Sequence, residues 1–258
     1  MLFQRELRQH LKGFLITTGI CAALSMYMIV LLPSMGADMQ RILDMKLPKE
    51  MQAAFGMNTM DFSRPISTFS MMFSYLYLTF GIYAATLFGN IVAKEFNDKT
   101  AEFLFSLPAR RIDLIRTKLL VAAGYLTVGI LLVTLISAVT FMLVVGKDFG
   151  LAELLWMSAG YWLGAMFFGM LSMLLSAFYL KTRLAVGIVL GAYILQVVIS
   201  LKENLAFMKY LSPFDWFKGG DIVRDSGLNG PAVVIALVLT IGACIWGVRK
   251  FLQRDVMV

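Results

Sequence analysis

Six stretches of this chain carry no charged residue over lengths that approach or exceed the width of a bilayer: Phe14–Leu32, Pro65–Ala93, Leu119–Gly146, Leu154–Leu180, Leu184–Leu201 and Ser226–Val248. About 18 apolar residues mark a candidate spanning helix, because roughly 20 residues at 1.5 Å rise cross the hydrocarbon layer. In lipid every backbone N–H and C=O must be bonded within the protein, and these runs lack the alternation of barrel strands, so helices are the economical solution. The expected fold is an all-α membrane protein of six transmembrane helices, at 14–32, 65–92, 119–145, 152–180, 184–201 and 230–250. Composition agrees, with 59% hydrophobic and 15% charged residues, against roughly 45–50% and 25% in soluble domains. Six spans use up 258 residues, so residues 1–258 read as one transmembrane domain.

Lys and Arg concentrate in the cytoplasmic connections of membrane proteins. Placing both termini in the cytoplasm puts fourteen of the 23 basic residues inside and nine outside, with six of the 16 acids inside and ten outside. Both termini are therefore expected to be cytoplasmic, and the net charge of +7 reads as an anchor to anionic inner-leaflet lipid rather than to nucleic acid. Residues 2–13 place Leu2, Phe3, Leu7 and Leu11 on one side and Arg5, Arg8, Gln9 and Lys12 on the other, the pattern of a helix lying in the interface. The 19-residue run that follows is longer than the ~7–15 residues of a secretory signal core, which favours an uncleaved anchor.

Between the spans, Pro33–Arg64 is expected outside with a short surface helix around Asp38–Leu47, and Gly146–Gly150 as a tight outer turn. Lys181–Arg183 reads as a cytoplasmic hairpin, and 202–225, with Phe207, Tyr210, Phe214, Trp216 and Phe217, as an outer segment dipping into the interface. Glycines four apart, Gly160/Gly164 and Gly187/Gly191, permit close helix approach. Cys21 and Cys244 sit within the first and last spans and imply no disulfide framework. The 18 methionines lack a ligand spacing and read as flexible packing, and His10 is the chain's one histidine.

Absent chemistry narrows the function. No span carries a charged side chain in its central part, where ion-coupled transporters keep the groups that bind the coupling ion. The chain has no phosphate-binding G-x-x-x-x-G-K-[ST], no H-E-x-x-H and no G-x-S-x-G. It is therefore not expected to be an enzyme, to hold a metal or to bind a cofactor of its own, and the energy for any transport must come from a partner.

One stretch contrasts with the apolar remainder. Ala93–Arg111, AKEFNDKTAEFLFSLPARR, packs ten ionisable or hydrogen-bonding side chains between spans two and three. As a helix at about 100° per residue, Phe96, Thr100, Phe103, Leu104 and Leu107 share about a third of the circumference, with Asp98 and Glu102 pointing away. Pro108 breaks the helix, and Arg110, Arg111, Arg116 and Lys118 mark the return to the membrane. A lipid-lying helix would flank its apolar face with bases. The body of this one carries Glu95, Asp98 and Glu102, which suits a protein groove better than anionic lipid.

At these residues the chain resembles the permease subunits of ABC-2 type transporters. The matching string is Glu95, Lys99-Thr100, Glu102, Leu104, Ser106-Leu107-Pro108 and Arg111 with Lys118, followed by Leu211-Ser212-Pro213-Phe214-Asp215 and Arg254-Asp255. The resemblance implies a cytoplasmic coupling helix, residues 94–107, that seats Glu95, Phe96, Thr100, Glu102, Phe103, Leu104, Leu107 and Pro108 in a groove of a separate ABC ATPase. It also implies two ATPases, which bind ATP and Mg, and a second permease, identical or homologous. Spans one and five would lie near the permease–permease contact, where the four-residue spacing of Gly187 and Gly191 allows close approach, and the outer connection 202–225 would form a re-entrant hairpin. Phe105 departs from the pattern by adding an apolar group to the polar face.

The expected function is export of an amphiphilic cargo, such as a peptide, antibiotic or lipid-like molecule, across a prokaryotic plasma membrane. Polar touches at Thr18, Ser25, Ser70, Tyr75, Gln196 and Ser200 suit such a path. The alternative is a non-transporting scaffold or sensor that docks the same ATPase for signalling or self-protection.

Overall fold

A computed structural model describes residues 2–44, 64–97, 111–179, 182–201 and 212–253. Eight helices make up this part of the chain: α1 (Leu2–Asp44), α2 (Pro65–Asn97), α3 (Arg111–Val144), α4 (Leu151–Tyr179), α5 (Thr182–Leu201), α6 (Pro213–Trp216), α7 (Gly219–Asp225) and α8 (Gly230–Leu252). Among the described residues there is no strand. Five helices, α1, α2, α3, α4 and α8, are long and apolar enough to cross a membrane. The apolar part of α5, Leu184–Ser200, is shorter.

Side-chain contacts fix how the helices run. Glu6 meets Lys118, Phe14 meets Tyr125, and Ser25 meets Ser137, so α1 and α3 lie parallel in a nearly constant register. Gln9 and Asn90 line one groove, as do Thr17 and Thr79, so α2 runs antiparallel to α1. Lys250 lies over the Phe178 ring, which brings the end of α8 to the end of α4. The starts of α1 and α3 and the ends of α2, α4 and α8 thus share one end of the bundle, called here the near end. The Arg64–Glu153 ion pair, at 2.5 Å, joins the starts of α2 and α4 at the far end.

Among the five long apolar helices, α4 is the most enclosed and α8 the least. Glycines on α4 make room for large neighbours: a Cβ on Gly164 would sit 1.7 Å from the Tyr77 Oη, and one on Gly169 would sit 2.7 Å from the Phe88 ring. The close approach that Gly160/Gly164 permits is therefore made largely by aromatic side chains entering the glycine gap. Several polar groups close on one another inside the bundle, as most buried hydroxyls do, although those of Thr18 and Ser176 have no partner among the described residues. Ser25 bonds Ser137 at 2.5 Å, Thr134 donates to Ser158 at 2.8 Å, and Trp162 Nε1 donates to Thr127 at 2.9 Å.

Several boundaries differ from the sequence expectation. Residues 2–13 and 14–32 form one unbroken helix, because the α1 surface that buries Glu6 continues directly into Phe14, Thr18 and Cys21. That helix also runs through Pro33 to Asp44. Proline removes one backbone donor and crowds the preceding turn, and within a spanning helix such a defect is tolerated. The expected surface helix at Asp38–Leu47 is thus, as far as Asp44, a continuation of α1. At the other boundaries, α2 continues to Asn97 and α3 begins at Arg111. The α3–α4 turn relies on Gly146 and Gly150, with φ of +106° and +96°, values that favour glycine. The Asn229 side chain accepts from Ala232 N at 3.4 Å to cap α8, with Pro231 in its first turn.

Candidate functional site

The docking residues expected from sequence fall largely outside the described residues. Glu95 and Phe96 lie in the last turns of α2, a helix without a break at Lys94. Thr100, Glu102, Phe103, Leu104, Leu107 and Pro108, together with Phe105, lie outside the described residues. Gly187 and Gly191 occupy the exposed face of α5, and a Cβ on either would meet nothing within 4 Å.

Most of the polar positions expected on a path serve packing. Ser25 bonds Ser137, Ser70 donates to Ser67 O at 2.7 Å, and Thr18 and Gln196 are buried. Tyr75 is half exposed and begins a different feature. Tyr75, Thr79, Tyr83, Thr86 and Asn90 recur along α2 at intervals of three and four, which puts all five within about 80° of arc. From Thr79 to Asn90 this stripe faces α1 residues Gln9, His10, Gly13 and Thr17 across a groove of about 440 Å³. The groove runs toward the near end and bears hydrogen-bonding groups on both walls.

The walls differ from the apolar exposed surfaces of α3 and α8, where Val128, Leu131, Leu135, Val238, Ile241 and Trp246 are exposed. Thr79 and Thr86 donate their hydroxyls to Tyr75 O and Ile82 O, each at 2.9 Å, and so present acceptor lone pairs outward. The Tyr83 Oη is buried and has no hydrogen-bond partner among the described residues. Hydrocarbon cannot satisfy such a group. The arrangement suits a surface wetted by water or covered by a polar ligand.

Toward the far end, the segment expected as outer re-entrant or interfacial is described from Ser212 onward as α6 and α7. Phe214, Trp216 and Phe217 point into the bundle core, and Phe207 and Tyr210 lie outside the described residues. The Phe214 ring packs 4.7 Å from Tyr77, 5.1 Å from Phe168 and 5.6 Å from Tyr193. Tyr77 stacks on Tyr161 at 4.5 Å and donates to Pro213 O at 3.1 Å. These contacts hold α6 against α2, α4 and α5.

Five helices long and apolar enough to cross a bilayer fit an integral, multi-pass membrane protein. The chain belongs to the ABC-2 family of transporter proteins, whose family description matches residues 2–256. That membership makes it a membrane permease component of a kind that generally works with an ABC ATPase. No curated protein matches the chain.

Proposed function

We propose that the chain is the permease subunit of an ATP-driven exporter of amphiphilic molecules. In this reading α5 is the fifth of six spans, both termini are cytoplasmic and the near end faces the cytoplasm of a prokaryotic cell. Arg5, Arg8 and Lys12 on the first turns of α1 then face anionic headgroups. Residues 94–107 act as the coupling helix, with Phe103 and Leu107 as apolar anchors and Glu95 and Glu102 as charge partners in the ATPase groove. Two ATPases hold ATP and Mg, and a second permease, identical or homologous, meets this one through α1 and the Gly187–Gly191 face of α5.

The observation that carries the reading is the family match across residues 2–256. The groove supports it by supplying a wall that bears hydrogen-bonding groups along a path. Nucleotide binding moves the coupling helices, and that motion shifts the population of path conformations.

The test is co-purification and transport. Phe103→Ala with Leu107→Ala should leave insertion into the membrane intact but release the ATPase or abolish ATP-dependent efflux from liposomes. Wild-type efflux and ATPase retention in that variant would overturn the docking assignment. Retention of the ATPase by the unaltered chain, with no movement of any peptide or lipid-like probe, would identify a scaffold instead.

A further inference from the structure

The α1–α2 groove does not end at Gln9. A second hollow, of about 420 Å³, is lined among the described residues by Gln4, Arg5, Arg8 and Gln9, so the two share Gln9 and follow one another along α1. Arg5, Gln9, Gly13 and Thr17 are spaced four apart, which sets them in one slowly drifting row on the helix surface. At 1.5 Å rise per residue the row is about 18 Å long. It starts on the basic turns ahead of the apolar run Phe14–Leu32 and ends within that run.

The chemistry changes along the row. At its outset Arg5 and Arg8 are exposed and make no ion pair among the described residues, while Glu6, the acid between them in sequence, is buried and faces Lys118 on α3 at 3.4 Å. His10, which also lines the groove, lies 3.8 Å from the Glu6 carboxylate. Further along, Gly13 presents bare backbone, and a Cβ there would meet nothing within 4 Å. Opposite it, Thr79 and Thr86 offer acceptor lone pairs, the buried Tyr83 hydroxyl has no partner among the described residues, and Ile82 and Leu87 supply apolar surface.

Guanidinium groups suit phosphate and carboxylate, because their planar fork bonds two oxygens at once. Volumes of about 440 and 420 Å³ lie within the roughly 300–1,000 Å³ of small-molecule sites. A small hydrophilic anion would use the arginines and leave the rest of the row empty. A cationic amphiphile would be repelled at its head. The order of groups complements a molecule with an acidic head and a longer body of mixed hydrogen-bonding and apolar character.

We propose that the hollow and the groove together bind one amphiphile with an acidic headgroup, the acid at Arg5 and Arg8 and the body along Gly13, Thr79, Tyr83 and Thr86. This gives the exporter's cargo a sign of charge, and that cargo half rests on the export reading made above. The binding half does not.

Binding is read on the full chain in neutral detergent micelles by native mass spectrometry, with hexadecyl phosphate as the probe and hexadecylphosphocholine as its zwitterionic counterpart. The chain should hold one hexadecyl phosphate, roughly tenfold more tightly than the counterpart. Arg5→Gln and Arg8→Gln should each weaken it by about fivefold or more. Arg249→Gln makes the same change of charge at an exposed near-end position that lines neither hollow, and should alter binding by less than about twofold. Gly13→Phe, which fills the groove without altering charge, should weaken it by about fivefold or more. Equal affinity for the two probes, an equal loss in Arg249→Gln and Arg8→Gln, or parent affinity in Gly13→Phe overturns the site. Inorganic phosphate in large excess should not displace the probe, and displacement would mean an anion site without the row, which overturns the amphiphile. In the complex with the ATPase, hexadecyl phosphate should speed ATP hydrolysis, with half-saturation raised in Arg8→Gln by the factor seen in binding. A parent complex that binds the probe with no change in hydrolysis would mark a resident lipid and overturn the cargo half. Failure of the chain to hold any ATPase overturns the export reading and the cargo half with it, while the micelle experiment still decides the site.

Discussion

Replacing Gly164 by alanine tests the packing that organises the far half of the bundle. The added Cβ would lie 1.7 Å from the Tyr77 Oη and 2.4 Å from its Cζ. No rotation of a ring stacked 4.5 Å from Tyr161 relieves both contacts, so Tyr77 must withdraw. Withdrawal breaks its bond to Pro213 O and leaves a buried carbonyl unsatisfied, at roughly 1–3 kcal/mol. Overpacking costs about 1–3 kcal/mol more, and the better helix propensity of alanine offsets up to ~1 kcal/mol. The net expectation is a loss of about 1–6 kcal/mol, read by unfolding in mixed micelles. Gly124→Ala, where the new methyl meets nothing within 4 Å, should lose nothing. A double-mutant cycle makes the cause specific: once Tyr77 is alanine, Gly164→Ala should cost little. Unfolding of Gly164→Ala alongside the parent, or additivity in the cycle, would refute the reasoning.

Other expectations follow from the same contacts. Phe214→Ala empties a site lined by three rings and should cost about 3–5 kcal/mol in the same assay; a loss under ~1 kcal/mol would mean that α6 is not held by this ring. Lys118→Met leaves Glu6 buried without its lysine and should destabilise by about 3–5 kcal/mol, whereas a joint change to Glu6→Leu and Lys118→Met should recover most of it. Arg64→Gln breaks a pair whose arginine is 44% exposed, so the loss should be under about 1 kcal/mol and should vanish at high salt. The Arg224 guanidinium, bonded to Asp225 at 2.9 Å, holds that exposed carboxyl below the usual aspartate range. A carboxylate lowered in this way contributes above its unfolded pKa and loses its effect as pH falls through the folded value. NMR titration of Asp225 should accordingly show a lowered midpoint that returns to the ordinary value in Arg224→Gln.

Five of the six expected spans were legible because hydrophobic length is a local property; the run Leu184–Leu201 forms a helix whose apolar part is shorter. Pro65, Gly230 and the Gly146–Gly150 turn appear in the sequence as they do in the fold. The continuity of α1 was not legible, since Pro33 and a change from basic to apolar residues both look like boundaries. Burial of Glu6 beside Lys118 shows that residues 2–13 present a packed side that only tertiary contact reveals. The partners of Gly164 were equally hidden: nothing local says that the gap is filled by Tyr77, 87 residues earlier in the chain. The groove did have a signal. The three-and-four spacing of Tyr75, Thr79, Tyr83, Thr86 and Asn90 is a polar stripe visible on a helical wheel, and it was obscured because the α2 run contains no charge. Ser25 and Ser70 were misleading for the opposite reason, as small hydroxyls can bond within a bundle, here to Ser137 and to Ser67 O, and need no water.

The central claim is that the α1–α2 groove is the wetted wall of a path whose state is set by ATP bound elsewhere. The most direct measurement is the reactivity of single cysteines toward a membrane-impermeant maleimide in inside-out vesicles. Thr79→Cys and Thr86→Cys should react at least tenfold faster than Val128→Cys and Leu237→Cys, exposed positions on α3 and α8, and their rates should change when ATP and vanadate are added. Groove cysteines as inert as the two lipid-facing controls, with or without nucleotide, would contradict the account.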